Sequence, residues 1–166
     1  MKRSSKAFTT AVFAVYMILL VWLVMFKLET DISLLSRYRR VLLIPFCRPG
    51  SSSLRFEAGE MLLNLFAFMP LGYWLAMLDF PKKPWARTLA AFCLSLLLET
   101  LQYLFFLGTS DVTDLILNTL GAVLGGLAFK GAKRLMGERA EKVSNAAGLC
   151  VMLFLTAAWA FLNLMN

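Results

Sequence analysis

Histidine is absent from this sequence. Catalytic triads, histidine metal sites and imidazole proton relays are excluded together. Cysteine is scarce: Cys47, Cys93 and Cys150 make no CxxC spacing, so neither a disulfide framework nor a zinc site is expected. Cys93 and Cys150 lie inside apolar runs and read as packing residues, and Cys47 beside Arg48 reads as an interfacial thiol. HExxH, a DxxDxDG-like loop and a nucleophile beside a base are all missing; Ser51, Ser52 and Ser53 belong with Pro49 and Gly50 to loop chemistry. There is no internal repeat and no low-complexity tract. No cofactor and no metal are expected.

What is abundant is apolar surface. Of 166 residues, 60% are hydrophobic, against about 45–50% in an ordinary soluble domain. The aliphatic runs are long and nearly free of charge, as in a small polytopic membrane protein forming one domain over 1–166. The net charge of +7 raises the question of nucleic acid, but the bases flank apolar segments, so membrane topology accounts for them and no nucleic-acid partner is expected. The first apolar segment, 7–26, follows Lys2, Arg3 and Lys6 and is long enough to cross a hydrocarbon core of about 30 Å. It is too long for a signal-peptide core and no Ala-x-Ala-like site follows, so it is expected to stay as a transmembrane helix. Further spans are expected at about 58–78, 88–107, 112–129 and 146–164.

The connections have character of their own. In the first, Ile32, Leu35, Tyr38 and Leu42 recur at helical spacing beside Arg37, Arg39 and Arg40, which predicts a short interfacial helix. The loop at 108–114 is acidic and carries no base, whereas 82–87 and 130–142 are basic. Placing the N-terminus in the cytoplasm puts eleven Lys/Arg inside and six outside, all six in the first loop. The expected fold is therefore all-α: an integral membrane bundle of five transmembrane helices with an interfacial helix in the first outside loop and the C-terminus outside.

This topology brings polar residues to one level. Glu57, Glu60 and Asn64 open the second span, and Asp111, Asp114 and Asn118 open the fourth. Glu99 and Gln102, three apart on one helix face, lie roughly 12 and 8 Å deep in the third by helix rise. Ionisable groups at such depth are costly and mark functional sites, whereas the amides also serve simple interhelical bonding. Gly121-x-x-x-Gly125 permits close approach of two backbones, and Pro70 with Gly72 marks a kink. Arg37, Arg39, Arg40, Arg48 and Arg55 have two readings: contact with lipid headgroups and nearby acids, or a site for a lipid phosphate or pyrophosphate.

Taken in order, Leu43-Ile44-Pro45-Phe46, Asn64-x-x-x-Phe68-x-Pro70-x-Gly72, Glu99-x-x-Gln102 and Asp111-x-x-Asp114-x-x-x-Asn118-x-x-Gly121-x-x-x-Gly125 resemble the pattern of VanZ-like membrane proteins over about 41–126. The resemblance implies a small bacterial membrane protein acting at the cell surface and related to glycopeptide, particularly teicoplanin, resistance. It implies no reaction. Many relatives carry an arginine before the acidic turn, where this chain has Gly108-Thr109-Ser110, so a first-loop arginine must stand in for it or its role is lost.

The functional expectation is an outward-facing polar pocket that binds a lipid, a lipid-linked wall precursor or a lipophilic glycopeptide. Asn64, Glu99, Gln102, Asp111, Asp114 and Asn118 are its candidate ligand residues; Pro45, Phe46, Pro70, Gly72, Gly121 and Gly125 are structural. The alternative is an intramembrane enzyme acting on a lipid-linked substrate, with Glu99 and Asp114 as acid and base. A transporter fits less well, because the polar residues stop in the outer half. Oligomeric state leaves no mark in the sequence.

Overall fold

The computed structural model describes residues 3–26, 38–47, 54–150 and 153. Helix α1 (Arg3–Phe26) is followed by strand β1 (Tyr38–Leu42), helices α2 (Leu54–Met77) and α3 (Pro84–Leu104), strand β2 (Leu107–Asp111) and helix α4 (Val112–Met136). Residues 139–150 form a further helix, α5. Among the described residues, three helices are long and apolar enough to cross a membrane: Lys6–Met25, Ala58–Met77 and Val112–Met136. They coincide with the first, second and fourth expected spans. Helix α3 has 21 residues but carries Arg87, Ser95, Glu99 and Gln102, and is not one of the three. Most of the expected span at 146–164 lies outside the described residues.

Two expectations are corrected. The interfacial helix was to include Tyr38 and Leu42, yet Tyr38–Leu42 is a strand; 27–37 lies outside the described residues. Two turns of apolar spacing are too few to separate a helix from a strand, and the partner that decides the matter lies far along the chain. That partner is β2, within the stretch read as an acidic turn and as the end of the third span. The strands pair in parallel, Tyr38 opposite Leu107, Arg40 opposite Thr109 and Leu42 opposite Asp111. The fold is mostly helical with a two-stranded parallel sheet, not purely α. The basic stretch after residue 129 begins inside a helix. It continues α4 to Met136, through helix-favouring Ala, Lys, Arg and Leu, until Gly137 turns the chain at φ +58°.

Helices α2 and α4 form the central seam. A Cβ on Gly121 would sit 2.1 Å from the Leu65 carbonyl oxygen, one on Gly125 1.8 Å from that of Met69, and one on Gly72 1.7 Å from that of Ala122. The backbones therefore touch directly. Since Leu65 faces Gly121 and Met69 faces Gly125, the two helices run in the same direction, with α3 returning between them. In lipid, where apolar surface gives no drive for helices to associate, such close packing supplies the attraction.

Helix α1 joins through an aromatic cluster of Phe13, Tyr16 and Trp74, with Tyr16 and Trp74 centroids 5.0 Å apart. Tyr16 also mends a break. Pro70 within α2 disturbs the local ladder, because its ring crowds the preceding turn and it has no N–H. The Leu71 N–H donates to the Tyr16 hydroxyl at 3.1 Å, and that hydroxyl donates to the Ala67 carbonyl at 2.6 Å. The hydroxyl thus bridges the two ends of the bond that an unbroken helix would form between residues 71 and 67. Tyr16→Phe is expected to lower stability by about 1–2 kcal/mol, since both hydrogen bonds of the hydroxyl are lost away from water. Thermal unfolding of the detergent-solubilised protein measures this; an unchanged midpoint contradicts it. Helix α5 is tied down by Asn145, which donates to the Thr9 hydroxyl at 2.7 Å, and by a bond between the Ser144 and Tyr73 hydroxyls.

Candidate functional site

At the end of the bundle where α2 and α4 begin and α3 finishes, polar groups gather beneath the β1–β2 sheet. The buried face of α3 consists of Ala91, Ser95, Leu98, Glu99 and Gln102, a helical repeat that sets Glu99 between Ser95 and Gln102. Glu99 is only 6% exposed. Its Oε2 accepts the Asp111 N–H at 3.0 Å, and its backbone carbonyl accepts the Ser110 hydroxyl at 2.6 Å. One residue of α3 therefore holds the junction of β2 and α4 twice.

Asp111 is buried as well and caps α4, its Oδ1 accepting the Thr113 N–H at 2.7 Å. A carboxylate at this position satisfies an otherwise orphaned donor and complements the helix dipole. Asp114, half-buried in the first turn of α4, adds a second acid at that pole. The Thr113 hydroxyl oxygen accepts the Phe46 N–H at 2.9 Å, which pins the segment after β1 onto the top of α4. Phe46 takes φ +58°, and its ring is exposed together with Leu43 and Ile44.

Two amides lie on either side of Glu99 along the bundle, Gln102 nearer the end of α3 and Asn118 deeper, at the level of Ser95. Gln102, on α3, donates from Nε2 to the Val24 carbonyl of α1 at 2.8 Å. Asn118, on α4 and 1% exposed, donates from Nδ2 to the Ser95 hydroxyl oxygen at 2.9 Å. The acceptor ends of both, Gln102 Oε1 and Asn118 Oδ1, are buried with no hydrogen-bond partner among the described residues. A buried polar atom left unpaired is uncommon and calls for a cause.

The structure thus brings Glu99, Gln102, Asp111 and Asn118 into one column along α3 and the start of α4. Asn64 sits half-buried on α2, with no described contact joining it to that column. Pro70, Gly72, Gly121 and Gly125 belong to the helix seam described above. Arg37 and Arg48 lie outside the described residues, as do the side chains of Arg39, Arg55 and Glu57; Arg40 is exposed. Sequence reasoning missed Ser95, Ser110 and Thr113. Ser95 had a signal, since it precedes Glu99 by four and shares its face; Thr113 and Ser110 act only through a fold that joins distant segments. Chemically, the column is acceptor-rich: alongside the buried carboxyl group of Glu99, two unpaired amide oxygens stand ready to receive N–H and O–H groups.

Apolar helices bound by small-residue contacts, with acids and amides collected at one end, define a helical membrane protein. The model of the VanZ/LLP1 family matches residues 13–135, and the chain belongs to that family. Protein VanZ of Enterococcus faecium is 30% identical to it over 154 residues, 90% of this chain and 91% of that protein. No solved structure matches.

Proposed function

We propose that this chain is a multi-pass protein of the bacterial cell membrane that alters glycopeptide susceptibility, teicoplanin in particular. In this reading its N-terminus is cytoplasmic, its C-terminus is outside, and the acceptor-rich column faces outward. The column binds a lipid, a lipid-linked wall precursor or a lipophilic glycopeptide, and no reaction follows. The supporting observation is the pair of unpaired amide oxygens, Gln102 Oε1 and Asn118 Oδ1, flanking Glu99. An acceptor stranded in the interior costs about 1–3 kcal/mol, which a ligand bearing amide or hydroxyl donors would recover on binding. Wall precursors and glycopeptides are rich in both groups. The excess of bases at the other end of the bundle supports the outward orientation.

The test is susceptibility to teicoplanin in a strain with and without the gene, with protein abundance measured in the membrane. Asp114→Ala and Glu99→Gln are expected to abolish any resistance, a loss of at least about fourfold in inhibitory concentration, at wild-type abundance; such a factor corresponds to less than about 1 kcal/mol of binding. Full resistance in both variants refutes the reading. A lipid or muropeptide profile that changes on overexpression and reverts with Asp114→Asn would transfer the site to an enzyme.

A further inference from the structure

The opposite end of the bundle carries a second feature that the polar column does not use. A cleft of about 90 Å³ opens between α2, α3 and α4. Its floor is made of small and apolar residues, with Gly72 and Ala76 from α2 and Ala122 and Gly126 from α4; Arg87, Thr88 and Lys130 are its polar lining. A Cβ on Gly126 would come no closer than 3.6 Å to the Gly72 carbonyl oxygen, so the seam that is closed at Gly125 opens here.

Arg87 is held in place before any ligand arrives. Its Nε donates to the Pro81 carbonyl at 2.6 Å, and its Nη2 donates to Asp79 Oδ1 at 2.5 Å and to the Lys82 carbonyl at 3.0 Å. Its side chain is 13% exposed, against 72% for Asp79. The other terminal nitrogen, Nη1, has no hydrogen-bond partner among the described residues, which leaves donors on a guanidinium already fixed in orientation. Lys130 is exposed on α4 and lines the cleft opposite Arg87 and Thr88 of α3. Residues 79–88 and 130–142 together hold eight Lys/Arg against three acids, so this end is strongly positive.

We propose that this cleft is a binding site for an anionic phospholipid, with its phosphate on Arg87 and Lys130 and its glycerol and upper acyl chain against Gly72, Ala76, Ala122 and Gly126. A basic pocket between membrane helices is suited to such a headgroup. The lining supports the lipid over a free anion, because the glycine and alanine floor beside the two bases offers apolar contact that a glycerol and acyl chain use and a free phosphate does not. The site is distinct from generic attraction of juxtamembrane bases to the bilayer: it needs Lys130 and the empty volume at Gly126, and does not need Lys133, which leans on the Phe129 ring at 5.9 Å.

The experiment is titration of the full-length detergent-solubilised chain, read by thermal unfolding and by native mass spectrometry. The probes are phosphatidylglycerol, phosphatidylcholine of matched chains, and inorganic phosphate. Phosphatidylglycerol is expected to bind at least about tenfold more tightly than phosphatidylcholine, and millimolar inorganic phosphate not to displace it. Lys130→Ala is expected to weaken binding about fivefold, the effect of one base near a headgroup, and Lys133→Ala less than about twofold. Gly126→Leu fills the cleft and is expected to abolish retention of the lipid. Gly126→Ala leaves most of the volume and keeps binding; should the leucine variant not fold, the contrast between Lys130→Ala and Lys133→Ala decides alone. Equal binding of the two lipids, equal effects of the two lysine variants, or displacement by phosphate would each overturn the proposal.

Discussion

Gly125→Leu is expected to remove the folded protein from the membrane fraction. The clash begins at Cβ, 1.8 Å from the Met69 carbonyl oxygen, so no rotamer of the new side chain relieves it. Helices α2 and α4 must move apart by roughly 1.5 Å before even that first carbon reaches van der Waals contact. The same movement unseats Gly121 from Leu65 and Gly72 from Ala122, because all three contacts lie on one seam. The expected loss exceeds about 4 kcal/mol, beyond the usual range for one substitution and comparable to the whole stability of a small fold. Gly126→Ala is the matched control. Its Cβ meets only ordinary contact at 3.6 Å, and alanine is a better helix former than glycine, so stability is expected to hold within about 1 kcal/mol. Membrane abundance and thermal unfolding in detergent measure both; a Gly125→Leu protein with wild-type values would show that the seam is not the centre of the fold.

The seam also shows what a sequence can and cannot disclose. The four-residue spacing of Gly121 and Gly125 announces close approach of some backbone, since small residues at that interval share a face. It does not say whose backbone: Leu65 and Met69 have nothing unusual about them. The long apolar runs of α1, α2 and α4 were legible for the same local reason. The strands were not. Tyr38–Leu42 pairs with Leu107–Asp111 across more than sixty intervening residues, and neither segment has a pattern that requires a strand. Gly108-Thr109-Ser110 reads as turn chemistry until a parallel partner supplies the hydrogen bonds that extend it.

The site divides along the same line. Glu99 and Gln102 could be placed on one buried face of α3 from their three-residue interval alone, and the structure buries both. Asp111 was legible as an acid near a helix start, and its capping bond to Thr113 follows from that position. Its link to Glu99 was not legible, because it joins a helix end to a strand end through a backbone N–H that every residue possesses. Tyr16 is a similar case. Pro70 signals a broken ladder in α2, but which helix sends a hydroxyl to fill it depends on how the bundle closes.

Replacing Glu99 tests whether the junction it holds is structural, functional or both. In Glu99→Leu the Asp111 N–H loses its acceptor in a buried place, at a cost of about 1–3 kcal/mol, and the change should spread upward. Beyond Asp111 lies the cap on Thr113, and on Thr113 rests the Phe46 N–H, so the β1–β2 sheet loosens together with the segment after β1. The expected signs are a fall in unfolding midpoint and faster amide exchange at Phe46, Asp111 and Thr113, with α2 and the aromatic cluster around Trp74 unaffected. Glu99→Gln behaves differently, because the amide oxygen still accepts the Asp111 N–H and only the charge-assisted part of the bond is lost. Its stability should stay within about 1 kcal/mol of the parent, with normal exchange at the junction. A side chain kept in shape but not in charge then isolates the chemistry: a stable Gln variant that has lost resistance means the site needs its acid, not merely its hydrogen bond. If Gln loosens the sheet as much as Leu, charge holds the junction together and the column of acceptors is first of all a structural device.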